Sequence, residues 1–272
     1  LMLGRPKNYT HNLNVSYNVP TKNFPFLDWI SVKAQYDAEY TWTAAALNMD
    51  SLGNVISNGQ TRQISGDLNF ETLYNKSDYL RKINRQGRSS RSRMGGRRSS
   101  PGSRSSRRSA DDDKKKKNAD PSPAAKALLR PLMMLRKARL TVSENFQTIV
   151  PGFMPQTSLV GLSEGFDAPG WDFVAGMQPD IDPNTNDWLR RAADQGWMTE
   201  NYFLSQEVLQ NFSQTINASI TIEPINDFRI QLIANKQYTD NLTVSFRDSV
   251  LDNYVDPSEI VHMNPRENGS FN

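Results

Sequence analysis

The chain has 272 residues, enough for one large or two ordinary domains, with a net charge of +3 and no cysteine. The missing cysteine excludes a disulfide framework, a thiolate metal site and a cysteine nucleophile. Its two histidines, His11 and His262, lie far apart without neighbouring ligands, which argues against a histidine metal centre. No apolar run approaches the roughly 18 residues of a membrane helix. The mean hydropathy of -0.65 does not argue against a membrane β-barrel, because only alternate residues of such strands face lipid.

The first strand signal runs over 11–19, where Leu13, Val15, Tyr17 and Val19 alternate with Asn12, Asn14, Ser16 and Asn18. Pro20 and Pro25 then enforce a turn. Residues 30–43 are the clearest element. Ile30, Val32, Ala34, Tyr36, Ala38, Tyr40 and Trp42 occupy one face; Ser31, Lys33, Gln35, Asp37, Glu39, Thr41 and Thr43 occupy the other. This strand is longer than the roughly 9–11 residues that cross a bilayer, and its aromatic end suits a membrane interface. Residues 44–61 are expected to form a loop and 62–70 a returning strand. Residues 71–84 space Leu73, Tyr74, Leu80 and Ile83 as a short amphipathic helix would.

Residues 85–117 hold nine Arg, four Lys and three Asp, so the rest of the chain is acidic. The whole stretch 85–123 is Arg/Ser/Gly-rich without aromatic residues, which predicts a disordered basic insert. Such segments bind RNA through phosphate, but the missing stacking groups argue against nucleic acid. Residues 124–135 read as a short apolar helix, and 138–149 as a strand. In the aromatic stretch 151–211, residues 171–175 suggest a short strand and 187–194 a helix ended by Gly196. Phe153, Trp171, Trp188 and Trp197 are candidates for contact with a partner or plug, against the favoured reading of the tryptophans as the core of a folded loop, since Trp is mostly buried in ordinary folds. Strands 212–223 and 228–246 form a hairpin across a tight turn, with Lys236 and Asp240 interrupting the dry face and Ile233 on the wrong one. His262 falls in a Pro-flanked tail, and 269–272 looks like the opening of a further strand; the chain reads as an excised segment.

Little here carries catalytic chemistry. Gly161-Leu-Ser163-Glu-Gly165 matches a hydrolase elbow, but Pro169-Gly170 leaves no room for the helix that such a turn needs. No Walker loop or dinucleotide glycine fingerprint occurs. The expectation is a protein that is not an enzyme and needs no cofactor, metal or catalytic residue.

Several stretches resemble one family. Residues 4–43 (with Asn-Val-Ser-Tyr-Asn-Val-Pro-Thr, Leu-Asp-Trp-Ile and Tyr-Thr-Trp-Thr-Ala), 73–84, 151–155 (Pro-Gly-Phe-Met-Pro) and 169–173 (Pro-Gly-Trp-Asp-Phe) are similar to the SprA/Sov family. That family is the outer-membrane translocon of the Bacteroidetes type IX secretion system, which also supports gliding motility. The resemblance covers nearly the whole chain except 85–123. It implies a segment of a very large all-β transmembrane antiparallel barrel, with short helices and a disordered insert. It also implies export of folded cargo bearing a C-terminal signal domain, and partnership with a surface plug protein and an isomerase-like accessory protein.

On that reading Leu13, Val15, Tyr17, Ile30, Val32, Ala34, Tyr36, Tyr40, Trp42, Ile216, Ile220, Ile222, Ile230, Leu232, Val244 and Phe246 face outer-membrane lipid, and the alternate residues line a lumen. The shortest connection, 224–227, is expected on the periplasmic side, 44–61 outside, and 151–211 on the outer face with no crossing. A soluble β-sheet protein with an Arg-rich nucleic-acid-binding tail, and a TonB-dependent nutrient transporter, are the rival readings.

Overall fold

The computed structural model describes residues 6–88, 129, 131, 133–181, 188–201, 203–225, 228–248 and 260–271. Most of the basic insert 85–123 and of the apolar helix expected at 124–135 lies outside these residues.

Seven antiparallel strands form one sheet in simple sequence order: β1 (Asn8–Asn18), β2 (Ile30–Thr43), β3 (Asn54–Asn69), β4 (Leu135–Phe153), β5 (Val208–Ile225), β6 (Phe228–Asp248) and β7 (Ile260–Phe271). Among the described residues the sheet is open, with β1 and β7 at its edges. The register is almost unbroken. Tyr17, Ala34, Ile64, Val142, Ile216 and Lys236 sit side by side across six strands. One face is therefore shared by all of them, as a side-chain period of two requires.

Every strand expected outside 151–211 is present, and most run further. β3 begins at Asn54, not near 62, so half of the loop expected at 44–61 is strand. There Asn54, Asn58 and Gln60 occupy buried positions of the dry face, and polar residues in those positions hid the alternation. β7 takes up His262, which was expected in a tail. The helix expected at 71–84 is two: α1 (Phe70–Lys76), capped by the Asn69 side chain accepting from Thr72 N–H, and α2 (Asp78–Arg88). The strand expected at 171–175 is instead the helical turn α3 (Trp171–Val174). A helical turn buries the adjacent Phe173 and Val174 together, which an alternating strand cannot do. α4 (Trp188–Asp194) follows expectation, ending before Gly196 at a φ of 70°; its expected cap, Asp187, lies outside the described residues.

All described connections at one end of the sheet, 44–53 and the long 154–207, lie opposite those at the other, 19–29 and the helical insertion before β4. Among its described residues the long connection contains no strand that joins the sheet; an isolated bridge, Phe153 to Met198, ties it to β4. It folds back as a cap over one face. The main core lies between cap and sheet, with Tyr40, Trp42, Ile56, Val150, Val208 and Val244 from the strands meeting Leu162, Phe173, Ile181 and Leu189 from the cap. A smaller cluster of Tyr74, Ile83 and Met133 closes the opposite end.

Candidate functional site: two faces, one cap and a cleft

The two faces of the sheet have different chemistry. One carries Asn12, Asn14, Lys33, Glu39, Thr61, Gln63, Ser143, Asn145, Ser213, Thr215, Asn235 and Gln237, amide, hydroxyl and charge with scarcely an apolar group. The other divides along the strands into a capped part and a bare apolar band.

In the capped part, the chain from Phe173 to Pro179 lies across five strands, and each contributes a hydrogen bond to it. His11 Nε2 on β1 donates to Val174 O at 3.1 Å. The Tyr36 hydroxyl on β2 donates to Ala175 O at 2.7 Å while accepting from Gln60 Nε2 at 2.8 Å. Asn58 Nδ2 on β3 donates to Phe173 O at 3.1 Å and Met177 O at 2.8 Å. Thr148 on β4 donates to Gln178 Oε1 at 2.6 Å, and Gln210 on β5 to Pro179 O at 2.8 Å. Buried carbonyls need donors, and the strands supply them from positions that elsewhere hold apolar residues. Close contact completes the seat. Gly176, at a φ of 88°, lies where a Cβ would come 2.7 Å from Ala38 Cβ; Gly161, at 83°, lies where one would come 2.7 Å from the Tyr40 ring.

These contacts correct three expected lipid contacts and one partner contact. Tyr40, Trp42 and Val244 are fully buried beneath the cap at 0 % exposure, so lipid cannot touch them. Phe153, at 1 %, is core as well and cannot meet a partner. Tyr36 is half-buried at the cap's border. The side chain of Phe246 lies outside the described ones. The remaining residues expected to face lipid (Leu13, Val15, Tyr17, Ile30, Val32, Ala34, Ile216, Ile220, Ile222, Ile230 and Leu232) fall below the cap, joined there by Ile64, Leu68, Ala138, Leu140 and Val142. None of them is fully buried, and Val15, Tyr17, Ile64, Leu140 and Leu232 are broadly exposed.

The band runs obliquely. Its first polar residue on the cap side is His11 on β1, Arg62 on β3, Glu144 on β4, Gln214 on β5 and Lys236 on β6. His11 is level with Asn58, Arg62 with Glu144 and Gln214, and Lys236 with Ile64. The border thus drops three two-residue steps, about 20 Å, over five strand spacings of about 24 Å. It lies at about 40° to the direction across the strands.

Trp188 and Trp197, half-buried, line a cleft of about 390 Å³ in the cap with Phe173, Asp172, Asp180 and Arg191. Phe173 and Trp188 stack with centroids 5.3 Å apart. Trp171 stands exposed at the start of α3. The Gly161–Gly165 stretch is not a hydrolase elbow: a 3-10 turn precedes Ser163, whose hydroxyl donates to Asp167 Oδ1 at 2.5 Å. That bond, with the backbone N–H groups of Asp167 and Ala168, holds the Asp167 carboxyl below its usual range. Among the described residues no group of three or more histidine and carboxylate side chains could hold a metal ion, and no helix is long and apolar enough to cross a membrane.

No family model matches the chain, and no curated protein matches it. What could have been read earlier is the cap's footprint: Asn58, Gln60, Thr148 and Gln210 sit in the dry phase of their strands, a sign of a polar partner rather than of a loop.

Proposed function

We propose that this chain is part of the wall of an outer-membrane β-barrel that conducts folded proteins across the outer membrane, as the resemblance to the SprA/Sov translocons implies. The observation that carries the membrane part of this reading is the oblique apolar band opposite a continuous polar face. Strands of membrane barrels tilt by roughly 35–45° from the barrel axis, so a horizontal lipid belt must cut across them at that angle. A border at about 40° fits such a belt. The strands, at 11 to 21 residues, are long enough to cross and to rise beyond the membrane. The cap covers the outward face where it rises. A soluble sandwich would cover the band with a second sheet, and the described residues form only one.

The polar face would then line the lumen. Asn, Ser, Thr and Gln side chains keep their hydration and give passing folded cargo little apolar surface to hold. The secretion step, the cargo's C-terminal signal, and the plug and isomerase-like partners rest on the resemblance alone.

The membrane reading is tested by single cysteines, which the cysteine-free chain makes clean. Leu47, 83 % exposed in the 44–53 loop, and Phe26, 82 % exposed in the 20–29 turn, lie at opposite ends of the sheet. With the cap end outside, Leu47→Cys reacts with a membrane-impermeant maleimide in intact cells and Phe26→Cys only after the outer membrane is opened. Equal reaction of both in intact cells would overturn the reading.

A further inference from the structure

The border between band and cap carries an arrangement that the barrel reading does not itself require. Arg62, Glu144 and Gln214 are neighbours on β3, β4 and β5. One step nearer the cap, Phe146 and Phe212 pack with centroids 4.6 Å apart, and Tyr238 meets Phe212 edge-on at 5.9 Å. The Arg62 guanidinium lies over the Phe146 ring, 5.4 Å from its centroid. Glu144, opposite Arg62 across the strands, instead accepts from Gln214 Nε2 at 2.9 Å. Arg62 is exposed and makes no ion pair with any described carboxylate.

A guanidinium resting on an aromatic ring keeps its in-plane N–H fork free. That fork matches two oxygens of a phosphate. Directly below it, Ile64 and Leu140 expose the apolar surface along which acyl chains would lie. Phosphate above and hydrocarbon below is the chemistry of a lipid rather than of a free anion, and aromatic residues beside a cation are what a membrane–water interface selects. We propose that Arg62, seated on Phe146 at the upper border of the apolar band, binds the phosphate of an outer-membrane lipid headgroup. This rests on the membrane reading above, and the test separates the two.

The probes are short-chain phosphatidylglycerol, added to the intact detergent-solubilised protein and counted by native mass spectrometry, and inorganic phosphate as competitor. Arg62→Gln should lower lipid occupancy about tenfold, the loss of one charge-assisted bidentate contact. Arg62→Lys should keep part of it, and Lys33→Gln, on the polar face, should leave it unchanged. Unchanged occupancy in Arg62→Gln overturns the proposal, as does an equal fall in Lys33→Gln. Displacement of the lipid by inorganic phosphate at equal concentration also overturns it, leaving a simple anion site. Spin labels at Ile64→Cys and Leu140→Cys in nanodiscs give the independent control. Labels that collide with oxygen and not with an aqueous nickel chelate uphold the membrane reading even if Arg62 fails. Labels open to the chelate overturn the membrane reading itself.

Discussion

One face of this sheet has two parts that share a single alternation and have opposite environments. Near the cap, Tyr40, Trp42, Ile56 and Val150 are wholly buried against cap residues. Further along the same face, Val15, Tyr17, Ile64 and Leu140 leave half or more of their surface exposed. Period two tells which residues share a face, but not what lies on that face. The polar residues between them decide it. Asn58, Thr148 and Gln210 mark where a backbone rests on the sheet, and their replacement by Ile, Val and Leu marks where none does.

Four changes would break or sharpen that contrast. The largest effect is expected from Trp42→Ala. It empties a fully buried site between cap and sheet and should cost about 3–5 kcal/mol. Hydrogen exchange should show the cap opening while the strands below stay protected; Leu140→Ala in the band should leave the cap's exchange unchanged. Protection lost equally in both variants would remove the distinction between the two parts.

Next is Val32→Arg in the band. Arginine on a lipid face costs about 2–4 kcal/mol near the midplane, so the variant should reach the membrane in reduced amount as heat-modifiable folded protein. Lys33→Arg, its neighbour on the polar face, should assemble normally. Equal yields of the two would sink the assignment of the band to lipid.

Gly176→Ala is expected to be milder. The added Cβ would collide with Ala38 at 2.7 Å in a conformation with positive φ, which L side chains rarely adopt. A cost of about 1–3 kcal/mol, read as a lowered midpoint of cap unfolding, fits such overpacking. An unchanged midpoint would mean that the cap does not sit against Ala38.

The smallest effect is at Asp167. Its carboxyl is held below the reference value of 3.8 by the Ser163 hydroxyl and two backbone N–H groups. A depressed folded-state value adds stability above the unfolded one, and that increment is lost as the pH falls through the folded-state value. Asp167→Asn should therefore remove a slight acid sensitivity of the 163–168 turn, seen in its exchange rates below about pH 4. Identical profiles for wild type and variant would refute this.

The parts legible in the sequence are those where alternation meets one environment throughout. β2 keeps its expected bounds, Ile30–Thr43, because every dry-face position is apolar whether cap or open space covers it. β3 was legible only below Thr61, where Ile64 and Leu68 replace Asn58 and Gln60. The cap's footprint is marked by Asn58, Thr148 and Gln210, but which segment fills it was not legible. That depends on hydrogen bonds between residues more than a hundred positions apart, such as Asn58 with Met177, and no local pattern records them. Alternation alone assigns Tyr40, Trp42 and Val244 to lipid, whereas the cap buries them. The aromatic level lies one or two steps lower, at Tyr36, Phe146, Phe212 and Tyr238.

The stretch from Phe173 to Pro179 holds β1, β2, β3, β4 and β5 by one short bond or two each, and the described donors to it stop there. A rope fixed at five points along a flexible screen sets how far that screen can bend. Curvature over these five strands is thus dictated from above by a segment of fixed length. Between β5 and β7 the strap has no described bond; there the ladders are joined by Glu207, which accepts from Ser245 and Arg266, and by Val244 packed under the cap. Widening of a wall built this way would begin at that second stretch, where the strands can hinge without first breaking bonds to the strap.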